Sequence, residues 1–244
     1  MIGILGGMGT QAGLDFCNKL AILYRGKIDQ KYPLFFLYNK SDIPSRPDSI
    51  AVQTKNFLSK ENKKRYLLVL NSLLKGCKIL EKSKCKFIVI PCNTAHHWYE
   101  DLQKKINLPI ISMPKEVFKF TKKNCKKNSL IGLLATEGTL KTKVYDKFFS
   151  QNFNLVYPNS NFQKNSVNKA IKFVKMGQIK KASKAIKPAI NFLLKKNCKK
   201  IILGCTELPI AIFAFKSFKK IETSKVFLDP NLILATAAMK KYKR

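Results

Sequence analysis

FIVIPCNTAHHWYE, residues 87–100, carries the clearest signal of the fold class. Four apolar residues end at a proline, a cysteine follows at once, and helical periodicity begins after it. A short, continuous apolar run next to a helix is typical of a buried strand in a parallel sheet. The stretch therefore places a thiol, Cys92, where such a strand gives way to a helix.

The chain repeats this arrangement around a second cysteine, Cys205. CKFIVIPCNT matches CKKIILGCTE, IGILGGMGT matches IGLLATEGT, and a third pair is looser. Three elements that recur in the same order indicate two related halves of about 110 to 130 residues each. The matched pairs are residues 85–94 with 198–207, 2–10 with 131–139, and 107–120 with 224–237.

Each half alternates apolar strands with helical stretches, which indicates parallel sheets covered on both faces. We predict an α/β protein of two similar domains, each a mostly parallel sheet flanked by helices, related by pseudo-twofold symmetry. The predicted domains are residues 1–112 and 113–227, and the C-terminal helix, about 228–244, is a candidate to pack with the first. Predicted strands are residues 2–5, 33–38, 87–90, 130–134, 154–157 and 201–203. Predicted helices begin near residues 11 and 93 and cover much of 50–83, 145–150 and 167–196, with a polar loop at 41–49.

Cys92 and Cys205 both follow central strands, at the edge where parallel sheets bind ligands. Each lies at or near the positive end of a helix, so we expect the helix dipole to lower the pKa of the thiol. If the halves face each other, the two cysteines oppose one another across a cleft. This arrangement suits a two-base stereoinversion, in which a thiolate removes a proton from one face of a carbon and a thiol returns one to the other. Asn93, Thr94 and Thr206 are candidate donors to the developing negative charge.

The motifs GGMG, PCNTAH, ATEGT and GCTELP together resemble the aspartate/glutamate racemase family, in its aspartate racemase branch. The resemblance covers nearly the entire chain. It implies a two-domain α/β enzyme that racemises acidic amino acids without pyridoxal phosphate or another cofactor. It also implies catalytic Cys92 and Cys205 in an interdomain cleft, and a homodimer. Aspartate is the first expected substrate, with glutamate or a broader range as further candidates.

The resemblance extends to substrate-binding residues. Arg46, in SDIPSRPDS, matches the arginine of a substrate-binding loop, and a guanidinium suits bidentate binding of a carboxylate. Lys175, in FVKMGQ, matches a lysine proposed to meet the same carboxylate, while Glu207 favours aspartate-type substrates. The turns after the first strand and its repeat should also reach the cleft. The predicted substrate-binding set is Met8, Thr10, Arg46, Asn93, Thr94, Thr139, Lys175, Thr206 and Glu207.

Two alternative functions remain at this stage. GMGTQA, residues 7–12, fits the dinucleotide fingerprint G-x-G-x-x-A directly after a strand, which would indicate an oxidoreductase. The second strand, however, ends in Asn39 without an acidic residue for a ribose, and the repeat near residue 131 lacks the pattern. A maleate isomerase-like enzyme of the same superfamily would keep both cysteines and is the closer alternative.

Composition restricts the partners. The formal net charge is +33, but the lysines are spread over nearly the whole length, without a compact basic stripe with interleaved aromatic residues. We therefore expect small anionic substrates and no specific nucleic-acid partner. No apolar stretch reaches the roughly 18 residues of a spanning helix. A strand predicted at residue 2 leaves no space for a leader, so we expect a cytoplasmic protein without membrane contact.

The seven cysteines do not form a CxxC pair, so we expect neither a disulfide framework nor a zinc ribbon. His96 lies four residues after Cys92, a spacing that would suit two ligands on one helix face. No further ligand cluster is apparent, so we predict no metal site. We expect His96 instead to form a hydrogen bond near the helix start.

Overall fold

A computed structural model describes residues 1–24, 28–50, 60–213 and 225–243. The chain divides into two compact units, Met1–Glu116 with Asn231–Arg244, and Val117–Pro230. Each unit contains a four-stranded parallel sheet with helices against it. The predicted class, an α/β protein with two similar sheets, is therefore confirmed.

The sheet of the first unit has the strand order β2-β1-β3-β4, and all its strands are parallel. A short helix follows β2. After β3 the chain forms a 3-10 helix, Thr94–Trp98, and then a second short helix. The strands are β1 (Ile2–Gly6), β2 (Phe35–Asn39), β3 (Phe87–Val89) and β4 (Ile110–Ile111). The helices up to the unit boundary are α1 (Thr10–Tyr24), a 3-10 turn (Asp29–Lys31), α2 (Arg46–Ser49), α3 (Lys60–Lys82), α4 (Tyr99–Gln103) and α5 (Met113–Asn124), which contains the boundary.

The sheet of the second unit repeats this topology with the order β6-β5-β7-β8, again fully parallel. The strands are β5 (Leu130–Ala135), β6 (Asn154–Val156), β7 (Lys200–Gly204) and β8 (Phe227–Leu228). The helices are α6 (Glu137–Lys141), α7 (Asp146–Phe149), α8 (Ser160–Phe162), a π-helix (Gln163–Asn168), α9 (Lys169–Lys175), α10 (Ile179–Lys195) and α11 (Glu207–Phe213). The chain ends with α12 (Pro230–Tyr242).

Both faces of the first sheet are buried, as its continuous apolar strands require. Successive strand residues point to opposite faces. Leu5 and Ile88 belong to a cluster with Leu73 of α3. Ile4 and Val89 belong to another, whose members also come from α1 and α12. These strands are continuously apolar because both faces of the sheet are buried against helices.

Several predicted boundaries shift. The predicted polar loop at 41–49 ends in the helical turn α2, and the stretch that follows Cys92 begins as a 3-10 helix. Within the predicted helical region 50–83 the structure shows α3, while residues 51–59 lie outside the described part of the chain. The predicted helical region 167–196 divides at Gly177, which has φ +71°. No helix in the described residues is long and apolar enough to cross a membrane.

Candidate active site

Cys92 lies three residues past the end of β3, at the carboxyl edge of the first sheet. Its backbone N–H donates to the carbonyl of Ile90 at 2.7 Å, an i to i+2 bond that turns the chain out of the strand. Its side chain is buried, as are those of Asn93 and Thr94, which follow it. The predicted donors in this unit therefore lie directly beside the thiol in sequence.

His96 fixes the main chain at Cys92. Its Nδ1 lies 2.9 Å from the Cys92 carbonyl oxygen, and its Nε2 lies 3.0 Å from the backbone nitrogen of Met113. The carbonyl only accepts and the amide only donates, so Nδ1 carries the proton and the imidazole is neutral. Burial lowers the pKa of His96 to about 4, which agrees with this tautomer. The turn that holds the thiol is thereby tied to the first residue of α5, and the expected hydrogen bond of His96 is present.

The turn after β1 is held by close backbone contacts. Gly7 has φ +91°, and a Cβ placed there would lie 2.2 Å from the carbonyl of Lys40, so this position needs glycine. Met8 is buried, whereas Thr10 is exposed at the start of α1. The Thr10 hydroxyl accepts from Asn39 Nδ2 at 3.2 Å. This bond joins the turn after β1 to the carboxyl end of β2.

Arg46 lies at the start of α2 and is half-buried. Its Nη1 donates to the carbonyls of Ile43 and Pro44, each at 3.0 Å. Its buried Nε has no hydrogen-bond partner among the described residues. The guanidinium of Arg46 therefore stabilises its own loop through Nη1, while its Nε remains available to donate a hydrogen bond to a ligand.

Cys205 follows β7 directly and lies beside a buried carboxylate. Its Sγ is 3.0 Å from Oε2 of Glu207, and the hydroxyl of Thr206 is 3.2 Å from the same oxygen. All three residues are buried. A carboxylate only accepts hydrogen bonds, so this geometry describes Cys205 as a thiol that donates its proton to Glu207.

The expected lowering of the thiol pKa is wrong for Cys205. Burial raises this pKa well above its ordinary value, and the charge and hydrogen bond of Glu207 raise it further. Lys175, an exposed residue at the end of α9, acts in the opposite direction with a smaller effect. The helix that follows Cys205, α11, has only seven residues, so its dipole does not offset the loss of water around the thiol.

Thr139 is buried in the first turn of α6, which follows β5. Thr136 caps this helix: its Oγ1 accepts from the backbone N–H of Thr139 at 3.2 Å and lies 3.1 Å from the Thr139 hydroxyl. Within the second unit, Cys205, Thr206 and Glu207 form one hydrogen-bonded group. Thr139 lies after the neighbouring strand of the same sheet.

Gln163 has no role that the sequence predicts. This buried side chain in the π-helix donates to the carbonyl of Ala135, the last residue of β5. Gln163 belongs to no recognisable motif. Its only signal in the sequence is the polarity of its side chain, in a stretch that contacts the end of a strand. The contact of Glu207 with the thiol was also missed, although an acidic residue two positions after a cysteine at a helix start is visible in the sequence.

Metal ligation has no candidate in the described residues, which contain no group of three or more His, Cys, Asp or Glu side chains able to hold an ion. All seven cysteines are free thiols, and five of them are buried. Burial raises the pKa of Cys77 to about 12 and that of Cys17 to about 11.

Two parallel sheets of the same strand order, each followed by a buried thiol at the carboxyl edge of its third strand in sequence, define a duplicated α/β protein. The chain belongs to the Asp/Glu/hydantoin racemase family, whose sequence model matches residues 5–238. This membership supports a racemase, an isomerase, over the dinucleotide-binding oxidoreductase.

Individual relatives cover almost the whole chain. The broad specificity amino-acid racemase RacX of Bacillus subtilis is 26% identical over 254 residues, which cover 99% of this chain and 98% of that protein. The structure of aspartate racemase from Picrophilus torridus is 28% identical with a TM-score of 0.80, covering 99% of this chain and 94% of that one. Glutamate racemase from Francisella tularensis, at 19% identity and a TM-score of 0.66, covers 98% of this chain and 80% of that one and shares the fold.

Proposed function

We propose that the protein racemises acidic amino acids without pyridoxal phosphate, with aspartate as the first candidate substrate and glutamate or other amino acids as further ones. One observation carries the proposal: Cys92 and Cys205 occupy matching positions of the repeated motif, at the carboxyl edges of two sheets of the same topology. The substrate class is supported by the similarity to an aspartate racemase and to a broad specificity amino-acid racemase. The net charge of +33 favours anionic substrates.

In the proposed reaction, the thiolate of one cysteine removes the Cα proton. The electron pair of the broken C–H bond delocalises into the α-carboxylate, and the thiol of the other cysteine donates its proton to the opposite face of Cα. The product has the inverted configuration, and the two sulfur atoms have exchanged protonation states. The charge on the carboxylate is stabilised by donors beside the thiols, for which Asn93, Thr94 and Thr206 are the candidates.

The environment of Cys205 supports a specific starting state. Its raised pKa favours the protonated thiol, which suits Cys205 to begin as the acid. For the reverse reaction Cys205 must become the thiolate, and the ammonium of Lys175 favours that charge. The Nε of Arg46 and the ammonium of Lys175 are the proposed partners of the distal carboxylate.

Incubation of the purified protein with L-aspartate in D₂O tests this function. We expect loss of optical activity together with deuterium at Cα, without added pyridoxal phosphate or metal. In a two-base reaction, deuterium appears first in the D-product, while the remaining L-substrate keeps its hydrogen. Absence of exchange with aspartate, glutamate and other amino acids would refute the proposal, and a requirement for pyridoxal phosphate would refute its cofactor independence.

Glu207→Gln should move the pH profile of kcat/KM. The charge of Glu207 raises the pKa of Cys205, so its removal lowers that pKa and the thiolate forms at lower pH. The limb of the profile set by Cys205 is therefore expected to shift to lower pH, as measured by initial rates from pH 6 to 10. Glu61→Gln, at an exposed ion pair with Arg65 on α3, is the matched control and should leave the profile unchanged. A shift to higher pH in Glu207→Gln would contradict the assigned contact.

A further inference from the structure

The carboxamide of Gln163 lies at the carboxyl edge of the second sheet. Its Nε2 donates to the carbonyl oxygen of Ala135 at 2.9 Å and to Oδ1 of Asn168 at 2.8 Å. The side chain is only 7% exposed. It projects from the π-helix, a form of helix that occurs frequently at functional sites.

The orientation of this amide is fixed from both ends. The Ala135 carbonyl only accepts, so Gln163 must present its NH₂ group there. Asn168 Nδ2 donates to Oε1 of Glu137 at 2.7 Å, and because a carboxylate also only accepts, Asn168 must turn its Oδ1 toward Gln163. The remaining atom, Oε1 of Gln163, is consequently an acceptor, and it is buried without a hydrogen-bond partner among the described residues.

The strand end that anchors this amide lies one strand away from Cys205. Ala135 is the register partner of Gly204 in the adjacent parallel strand, and Cys205 is the next residue. Neighbouring strands are about 4.8 Å apart, and parallel sheets bind ligands beyond their carboxyl ends. A ligand held at Cys205 is therefore held next to the strand end to which Gln163 is anchored.

We propose that Oε1 of Gln163 accepts a hydrogen bond from the α-ammonium group of the amino-acid substrate. The inference rests on the proposed function and deepens it. Arg46 and Lys175 are cations that suit carboxylates, and Oε2 of Glu207 already accepts from Cys205 and Thr206, whereas an ammonium group needs an acceptor without a donor. A buried acceptor without a donor is unfavourable, and a bond to a cation removes that cost. The contact would select amino acids over dicarboxylates that lack an amino group.

Calorimetric titration of Gln163→Met with two ligands tests the contact. The ligands are L-aspartate and succinate, a dicarboxylate of the same chain length without the α-ammonium group. We expect the Kd for aspartate to rise about tenfold or more, as for loss of one hydrogen bond to a charged group. The Kd for succinate should stay within about twofold. Gln151→Met, at an exposed turn of the same unit, should change neither value.

A second variant distinguishes a direct contact with the substrate from a structural role of Gln163. Gln163→Asn keeps an amide but withdraws it by one methylene, and it should show the same selective loss of aspartate binding. Equal weakening of both ligands would assign Gln163 a structural role and overturn the inference, as would unchanged aspartate binding in both variants. Failure of the racemase proposal is a separate result: the wild-type protein would bind aspartate in the calorimeter but exchange no deuterium in D₂O.

Discussion

Replacement of either Cys92 or Cys205 by alanine is expected to lower racemisation at least a hundredfold and up to about ten-thousandfold, the range for loss of a positioned acid or base. One thiol cannot serve both faces of Cα, so neither single variant should retain inversion. The rate is measured by circular dichroism with each enantiomer of aspartate. Near-normal turnover in both single variants would exclude the two-base mechanism.

The same pair of variants gives a sharper result in D₂O. Each variant retains one thiol, which reaches the Cα hydrogen of only one enantiomer. Cys92→Ala and Cys205→Ala should therefore exchange the Cα hydrogen of opposite enantiomers, without inversion. Exchange of the same enantiomer by both variants would show that the remaining thiols do not act on opposite faces.

The chain offers matched controls for these variants. Cys85 and Cys198 are buried and lie seven residues before Cys92 and Cys205 in the same repeated motif. Burial raises the pKa of both thiols, and each precedes its strand, at the sheet edge away from the ligand side. Cys85→Ala and Cys198→Ala are expected to keep normal turnover, with at most a loss of stability from the small cavity that each creates.

The sequence predicts the fold well because the relevant signals are local. Apolar runs such as residues 87–90 and 201–203 indicate strands buried on two faces, and the repeated order of motifs indicates two sheets of the same topology. The carboxyl ends of these strands locate Cys92 and Cys205 within a residue or two. None of this depends on contacts between residues distant in sequence.

The remaining features depend on contacts between residues distant in sequence, which local sequence patterns do not predict. The helix dipole predicts a lowered thiol pKa at Cys205, but burial and the orientation of Glu207 reverse the direction. The π-helix at Gln163 accompanies a bond to Ala135, 28 residues away, which no periodicity encodes. The 3-10 helix after Cys92 likewise accompanies the bonds of His96 to Cys92 and to Met113, 17 residues further on.

The neutral state of His96 that these bonds require should make the free energy of unfolding depend strongly on pH. The pKa of His96 is about 4 in the folded protein and 6.5 ordinarily. Below pH 6.5 the unfolded chain binds a proton that the folded protein excludes, so the stabilisation is fully present above this pH and is lost as the pH falls toward 4. The loss between pH 7 and pH 5 is expected to be about 2 kcal/mol.

His96→Gln should remove this pH dependence, because the glutamine amide offers an NH₂ donor group and a carbonyl acceptor but does not titrate. His97→Gln is the matched control: His97 packs edge-on against Tyr66 and Trp98, and its replacement leaves the bonds of His96 in place. Trp98, the single tryptophan, is buried in the same unit, so its fluorescence during urea unfolding reports the free energy of this unit. Equal slopes for the wild type and His96→Gln would show that His96 is not held neutral, and the fixed tautomer that ties the Cys92 turn to α5 would then be wrong.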